Sequence, residues 1–182
     1  MSGVPYRVWT GSEWIEVDVP EMGGEAIVVP NVAGLVYRGA DRREILLQRR
    51  DKEGEIVRGL WELPGGRWRA GETAVEAVAR EVREETGIEL TAVSAAAERL
   101  DTGPGVAFGV ARPLAVVNGI EGAYPSLHVL FECRGEGDPR PLVGETADPQ
   151  WITVAAVVDM LRERPDQFVW QTQAMLRAVF GG

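Results

Sequence analysis

The feature that most constrains this chain is one clearly delimited helix in its first half. Thr73 and Glu76 have the spacing of a capping box, and Gly87 is the residue type that most often ends a helix. The sequence therefore predicts a helix over residues 73–86. Three valines share one stripe of it: Val75, Val78 and Val82. Such a stripe indicates that the helix packs against a hydrophobic core on one side.

The last turn and a half of this helix is strongly acidic. Three glutamates lie there within one arc of the helix: Glu81, Glu84 and Glu85. The helix dipole is negative at this end, so each carboxylate costs up to about 1 kcal/mol. Glu85 also falls beside the valine stripe, where a buried carboxylate needs a partner. A divalent cation would satisfy these carboxylates, and oxygen ligands favour Mg²⁺ or Mn²⁺; the alternative is a solvent-exposed charged face.

The composition restricts the classes of ligand and of catalyst. Acidic residues outnumber basic ones 28 to 19, for a net charge of -9, whereas proteins that bind duplex nucleic acid are usually basic. Cys133 and His128 are the only cysteine and histidine, which excludes an internal disulfide and disfavours a zinc site or a Cys–His pair. No secretory signal and no apolar run of membrane-spanning length is visible, so we expect a cytoplasmic protein without a membrane partner.

The order of elements predicts an α+β fold. Two aromatic and β-branched runs within residues 6–19 indicate a hairpin, so residues 1–24 are assigned to an N-terminal β extension and residues 25–182 to one main domain. In the main domain, strands precede and follow the acidic helix, and two helices end the chain. This order predicts a mixed sheet between helices, an α/β/α sandwich. A continuous strand-like segment is expected over 106–117 and a long loop over 135–149.

The acidic helix and the residues before it resemble the Nudix box, GX5EX7REUXEEXGU, in which U is aliphatic. The match runs from Gly66 to Ile88, passes through Glu72, and agrees at every fixed position. By this resemblance the chain is identified as a member of the Nudix hydrolase superfamily. The resemblance implies the Nudix fold and a Mg²⁺-dependent or Mn²⁺-dependent enzyme. It would cleave a pyrophosphate linkage of a nucleoside diphosphate derivative with a metal-activated water.

The resemblance also assigns roles to individual residues. It implies four metal ligands: Glu81, Glu84, Glu85 and the main-chain carbonyl of Gly65. Arg80 is expected to orient the glutamates through ion pairs, and Glu72 to support the junction between loop and helix. The general base differs between family members, so it is either a box glutamate such as Glu81 or Glu84, or a downstream loop carboxylate. Glu145 is the candidate in the loop, with plain surface acidity as an equal alternative.

Two subgroups of the superfamily offer different substrates. Pro104 and the N-terminal β extension resemble the ADP-ribose pyrophosphatase subgroup, so we favour ADP-ribose or a similar nucleotide sugar. In that subgroup such an extension often builds a homodimer. The segment containing Arg50 and Trp61 resembles MutT-like nucleoside triphosphate pyrophosphohydrolases instead, with Arg50 contacting phosphate. Trp68 is a candidate for stacking on the base, with loop packing as the alternative. A third alternative is a catalytically silent nucleotide-binding or regulatory module.

Overall fold

The structure is a computed structural model that describes residues 6–9, 14–17, 28–94, 98–120 and 126–181, the first two ranges through their backbone alone. The strands, in chain order, are β1 (Tyr6–Trp9), β2 (Trp14–Val17), β3 (Val29–Arg38), β4 (Glu44–Arg50), β5 (Trp61–Glu62), β6 (Gly65–Arg67), β7 (Leu90–Val93), β8 (Glu98–Gly103), β9 (Val106–Val110), β10 (Ala115–Asn118), β11 (Ser126–Gly135) and β12 (Thr146–Thr153). The helices are α1 (Ala74–Thr86), α2 (Val154–Glu163), a short 3-10 helix (Pro165–Gln167) and α3 (Trp170–Phe180).

Eight strands form one mixed sheet. Its main path runs β10–β11–β3–β4–β12, while β5 pairs with β4, β6 with β3 and β7 with β11. The central strands β3 and β11 are parallel along their whole length, from Val29 opposite Ser126 to Arg38 opposite Gly135. Both faces of a parallel pair must be covered by other elements. This requirement agrees with the continuous burial of residues 31–37.

Helices cover the two faces of the sheet. On one face the apolar side of α1, with Val78 and Val82, packs on Val32, Val36 and Phe131. On the other face, residues of α2 and α3 form a second core with the opposite side chains of β3, β4 and β11. The predicted α/β/α sandwich with a mixed sheet is therefore confirmed. No helix in the described ranges is long and apolar enough to cross a membrane.

Two small antiparallel pairs lie outside the large sheet. Strands β1 and β2 pair as expected for the predicted hairpin, and residues 10–13 between them lie outside the described residues. Strands β8 and β9 form the second pair, and Pro104 and Gly105 make the turn between them. The assignment of residues 1–24 and 25–182 to separate units stays a prediction.

The prediction of a continuous loop over residues 135–149 was wrong at its C-terminal end. Residues from Thr146 onward belong to β12, which pairs antiparallel with β4 at the edge of the sheet. The register shifts between Ala147 and Gln150, where Asp148 has a φ of 49° and Pro149 follows. Such residues lower strand propensity, but a bulge on an edge strand tolerates them.

The strand-like segment predicted over 106–117 is also interrupted. Residues 111–114, which include Pro113, separate β9 from β10. The two strands join different sheets, β9 with β8 and β10 with β11. Proline cannot donate a hydrogen bond to a neighbouring strand, so a break at this position is reasonable.

Candidate active site

The site is built around the turn that precedes α1, where the backbone approaches β3 very closely. Gly65 and Gly66 on β6 lie opposite Ala33 and Val32 on β3. A Cβ atom on Gly65 would lie 2.2 Å from the carbonyl oxygen of Val32, so only glycine fits there. These two glycines therefore lie directly against β3, a few residues before α1 begins.

Glu81 reaches back from α1 to this turn. A Cβ atom on Gly66 would lie 2.7 Å from the Glu81 carboxylate, which shows how closely the acid approaches the backbone. Burial raises the pKa of Glu81, and the hydrogen bond from Arg80 works in the opposite direction. The absence of a side chain at Gly66 therefore leaves room for an oxygen ligand.

Arg80 links an acidic residue of the loop before α1 to two acidic residues of α1 itself. Its guanidinium binds Glu72 with two hydrogen bonds, Nε to Oε1 at 2.6 Å and Nη2 to Oε2 at 3.0 Å. Its Nη1 donates to Glu81 at 2.6 Å and to Glu84 at 3.3 Å. A further bond runs from Nη2 to the carbonyl of Arg67 at 3.1 Å. The hydrogen bond from Arg80 lowers the pKa of Glu72, so this carboxylate stays ionised as a support for the loop.

Glu85 is the most buried of the three box glutamates, with 4% of its surface exposed. Its Oε2 accepts a hydrogen bond from the main-chain N–H of Gly65 at 2.9 Å and one from Nε2 of Gln48 at 2.7 Å. Burial, followed by the nearby charge of Glu62, raises the pKa of Glu85 to about 8. A carboxylate in this position is unfavourable as an anion unless a cation or a proton joins it.

Glu62 is a second buried acid in this region, 6% exposed. Nε2 of Gln48 lies 3.4 Å from its Oε1, and Nη1 of Arg50 lies 3.8 Å from the same oxygen. Burial raises the pKa of Glu62 to about 7 despite the opposing charge of Arg50. Neither Gln48 nor Glu62 was predicted from the sequence as part of the site. Their signal is a polar residue inside an apolar run, Ile45-Leu-Leu-Gln48 and Leu60-Trp-Glu-Leu63.

The loop that contains Glu145 is fastened to the C-terminal end of α1. The hydroxyl of Thr146 donates to the carbonyl of Glu85 at 3.0 Å and accepts from the N–H of Leu142, also at 3.0 Å. The N–H of Leu142 also donates to the carbonyl of Glu85 at 3.2 Å. The main-chain carbonyl of Glu145 accepts a hydrogen bond from the main-chain N–H of Asp51 at 2.9 Å, and the side chain of Glu145 is exposed. The loop is thus tied to a box residue, and the role of Glu145 as general base stays a prediction.

The three residues predicted to bind substrate lie in different surroundings. Arg50 is held by Glu55 through two hydrogen bonds of 2.7 and 3.0 Å. Trp68 is partly buried against the core on the α1 side, and its indole N–H donates to the carbonyl of Glu72 at 3.0 Å. Pro104 is exposed in the β8–β9 turn. These contacts support loop packing for Trp68, and the three substrate-binding roles stay predictions.

The oxygen atoms around the Gly65–Gly66 turn are chemically suitable ligands for a hard divalent cation. Within residues 28–94, 98–120 and 126–181, no three acidic, histidine or cysteine side chains converge closely enough to hold a metal ion as they stand. Arg80 attracts Glu81 and Glu84, and Glu85 is bonded through Oε2. Changes of side-chain rotamer at Glu81 and Glu84 are therefore needed for the three box glutamates to share an ion, whereas Glu85 keeps its Oε1 free of these bonds. The set available, carboxylates and a main-chain carbonyl, contains oxygen alone, which suits Mg²⁺ or Mn²⁺.

Two curated proteins are similar to this chain in sequence. A MutT-like protein of Streptomyces ambofaciens is 30% identical over 133 residues, which cover 73% of this chain and 69% of that protein. A putative 8-oxo-dGTP diphosphatase 2 of Mycobacterium tuberculosis is 46% identical over 59 residues, 32% of this chain. The matched part spans 39% of the length of the Mycobacterium protein, well under half.

This chain is also similar to a solved structure and to the model of a protein family. The NUDIX domain of Shewanella oneidensis NrtR, solved in complex with ADP ribose, superimposes with a TM-score of 0.61. The similarity covers 87% of this chain and 90% of that one at 16% identity, so it shows the fold alone. The model of the NUDIX domain matches residues 28–171. Because that match covers most of the chain and includes the glutamate helix and the glycine turn, this protein belongs to the Nudix superfamily.

Proposed function

We propose that this protein is a Mg²⁺-dependent hydrolase that cleaves a pyrophosphate linkage of a nucleoside diphosphate derivative. The observation that carries the proposal is the approach of two α1 acids to one glycine turn. The Glu81 carboxylate occupies the space that a side chain at Gly66 would fill, and Glu85 is bonded to the N–H of Gly65. Nudix proteins generally use a divalent metal ion, and the oxygen atoms near these glycines are of the type that such an ion prefers as ligands. Mn²⁺ is the alternative ion.

Glu81, Glu84, Glu85 and the carbonyl of Gly65 are the proposed metal ligands. When bound, a divalent cation neutralises the diphosphate and lowers the pKa of water. Arg80 holds Glu72, Glu81 and Glu84 in fixed orientations through its hydrogen bonds. A carboxylate accepts the proton from the attacking water, and Glu81, Glu84 and Glu145 are the candidates. Arg50 would bind a substrate phosphate after exchanging its partner Glu55.

The substrate has two candidates, and each is supported by a different kind of similarity. ADP-ribose or a similar nucleotide sugar is favoured by the position of Pro104 and by the N-terminal extension, and the NrtR neighbour was solved with ADP ribose. A nucleoside triphosphate is favoured by the names of both sequence relatives, MutT-like and 8-oxo-dGTP diphosphatase. Sequence identity is closer evidence of substrate than a shared fold, so we place the triphosphate first.

A substrate panel with ligand variants tests this function. We expect Mg²⁺-dependent release of a nucleoside monophosphate from a triphosphate or from ADP-ribose. Glu84→Gln and Glu85→Gln should lower kcat by several orders of magnitude while circular dichroism shows a retained fold. Glu163→Gln, an exposed acid on α2, is the matched control and should leave kcat unchanged. Near-normal turnover by both site variants would show that the proposed ligands are wrong.

Three further predictions rest on the sequence and are made here as proposals. We infer a homodimer through residues 1–24, a cytoplasmic location and no binding of duplex nucleic acid. Size-exclusion chromatography of the full chain beside a chain that begins at residue 25 should show an apparent mass that falls by more than half on truncation, because the partner subunit and 24 residues are both lost. Nucleotide binding without turnover of any panel compound would instead favour the silent regulatory module.

A further inference from the structure

We propose that Gln48 is a positioning residue for the metal ligand Glu85, fixing one carboxylate oxygen so that the other is left for a divalent cation. The inference rests on the function proposed above. It concerns a residue outside the Nudix box, on β4, whose contribution comes from the fold rather than from the box spacing.

Gln48 is an unusual residue for its position. It is 0% exposed and follows three fully buried apolar residues on β4, Ile45, Leu46 and Leu47. Within the described part of the chain, its Oε1 is the one fully buried side-chain oxygen or nitrogen that has no hydrogen-bond partner. An unsatisfied buried polar atom is unfavourable to stability. Packing alone therefore does not explain a glutamine here, and the explanation must come from its NH₂ group.

The orientation of the Gln48 amide follows from its neighbours. Nε2 lies 2.7 Å from Oε2 of Glu85 and 3.4 Å from Oε1 of Glu62. A glutamate that binds a cation is ionised, and an ionised carboxylate accepts hydrogen bonds but cannot donate them, so in the metal-binding state the amide must present its N–H groups to these acids. The opposite orientation would place three acceptors together. The NH₂ group thus bridges two buried acidic side chains.

The same bond fixes the rotation of the Glu85 carboxylate. Oε2 receives two donors, Nε2 of Gln48 and the N–H of Gly65 at 2.9 Å. Among residues that the structure describes, neither of these nor any other donates to Oε1. One oxygen is therefore occupied by the protein and the other remains for a cation. Groups that hold a metal ligand in this way typically change metal affinity by 10- to 100-fold when they are removed.

Metal binding without nucleotide tests this role directly. The variant Gln48→Met approximately keeps the length and volume of the side chain but removes the amide. The matched control is Gln150→Met, because Gln150 is an exposed glutamine on β12, the neighbouring strand of β4. Free Mn²⁺ is measured by electron paramagnetic resonance as it is titrated into metal-free protein. We expect Gln48→Met to bind Mn²⁺ roughly 10- to 100-fold more weakly. The control should match the wild type, and KM for nucleotide at saturating metal should change by less than the metal affinity.

A second measurement uses the unmodified protein and does not depend on the folding of a variant. The side-chain NH₂ signals of Gln48 and Gln150 are followed by nuclear magnetic resonance during a titration with Mg²⁺. We expect the Gln48 signals to shift with the same affinity as metal binding and the Gln150 signals to stay in place. Unchanged Gln48 signals at saturating Mg²⁺, or equal Mn²⁺ affinity in a folded Gln48→Met, would overturn the inference alone. A wild type that binds no Mn²⁺ would overturn the proposed function as well.

Discussion

At the scale of single residues, two buried carboxylates dominate the electrostatics of the site. Burial raises the pKa of Glu62 to about 7 and that of Glu85 to about 8, from an ordinary value of 4.5. The folded, metal-free protein therefore holds protons on these acids at pH values where the unfolded chain has released them. Stability that depends on those protons is present at low pH and is lost as the pH rises through the folded-state pKa. A bound cation would take the place of the proton.

Glu62 provides a test of this pH dependence that does not alter a proposed metal ligand. In the presence of EDTA, we expect the free energy of unfolding to fall between pH 5 and pH 8, with a contribution from Glu62 on the order of 3 kcal/mol. Glu62→Gln should flatten this slope, because the amide cannot ionise. Urea denaturation at a series of pH values measures the effect, with Glu163→Gln as the exposed control. If the free energy of unfolding of Glu62→Gln depended on pH as that of the wild type does, the raised pKa of Glu62 would be contradicted.

At the scale of elements, the glycine turn and α1 form one unit. The helix has its predicted capping box, with the hydroxyl of Thr73 accepting from the N–H of Glu76 and the Glu76 side chain accepting from the N–H of Thr73. Gly87 ends it in the left-handed region, with a φ of 70°. The helix start is thereby fixed relative to the turn. A side chain at Gly65 would meet backbone atoms, whereas a side chain at Gly66 would meet the carboxylate of Glu81. Substitutions at the two positions can therefore distinguish an effect on stability from an effect on activity.

Alanine substitutions of the two glycines should therefore differ in their effects. In Gly65→Ala the new Cβ meets backbone, the carbonyl oxygen of Val32 at 2.2 Å, so β6 must leave β3. We expect a loss of about 3 kcal/mol or more in the free energy of unfolding. In Gly66→Ala the Cβ meets the mobile end of Glu81 at 2.7 Å, so we expect a loss below about 1 kcal/mol. Its kcat should nevertheless fall steeply, because the Glu81 carboxylate must move.

Urea denaturation and steady-state kinetics on the same preparations measure both quantities. Gly103 is the control position, because it is not in the left-handed region and a Cβ atom there would meet open space. Gly71 is less suitable because its φ is 86°. Gly103→Ala should change neither quantity noticeably. Equal destabilisation by Gly65→Ala and Gly66→Ala would argue against the described contact between the turn and Glu81.

At the scale of the whole molecule, the sheet brings distant segments to one place. Gln48 comes from β4, Glu62 from β5, Gly65 from β6 and Glu85 from α1, while the Thr146 hydroxyl on β12 holds the carbonyl of Glu85. A ligand that joins these segments binds the folded chain and not the unfolded one. Its binding must therefore add to the stability of the whole domain.

Removal of the metal ion tests this coupling. At a metal concentration of about 100 times Kd, binding contributes about 2.7 kcal/mol, which for a domain of this size is a rise in Tm of roughly 5–10 °C. We expect Mg²⁺ to raise Tm by this order and EDTA to reverse the rise. Glu85→Gln should show little response, while Glu163→Gln should respond as the wild type does. Differential scanning calorimetry provides the measurement, and a wild type without any shift would contradict the metal site.

The sequence by itself determined the local elements of this protein. The limits of α1 depend on contacts between residues three or four apart, so the capping box and Gly87 were sufficient to predict them, and the burial of Glu85 followed from its helical phase. The order of strands and helices was sufficient for the α/β/α sandwich. The proposed metal ligands followed from the resemblance of residues 66–88 to the Nudix box, and they stay a prediction.

Only the tertiary structure decided the pairings between remote segments. The strand at residues 146–153 was missed because its partner, β4, lies about a hundred positions earlier in the chain, and its own Asp148 and Pro149 have low strand propensity. The bridge from Gln48 to Glu62 and Glu85 was missed for the same reason. Which side chains share a buried space depends on sheet order and register, and these follow from packing of the whole chain rather than from any local pattern.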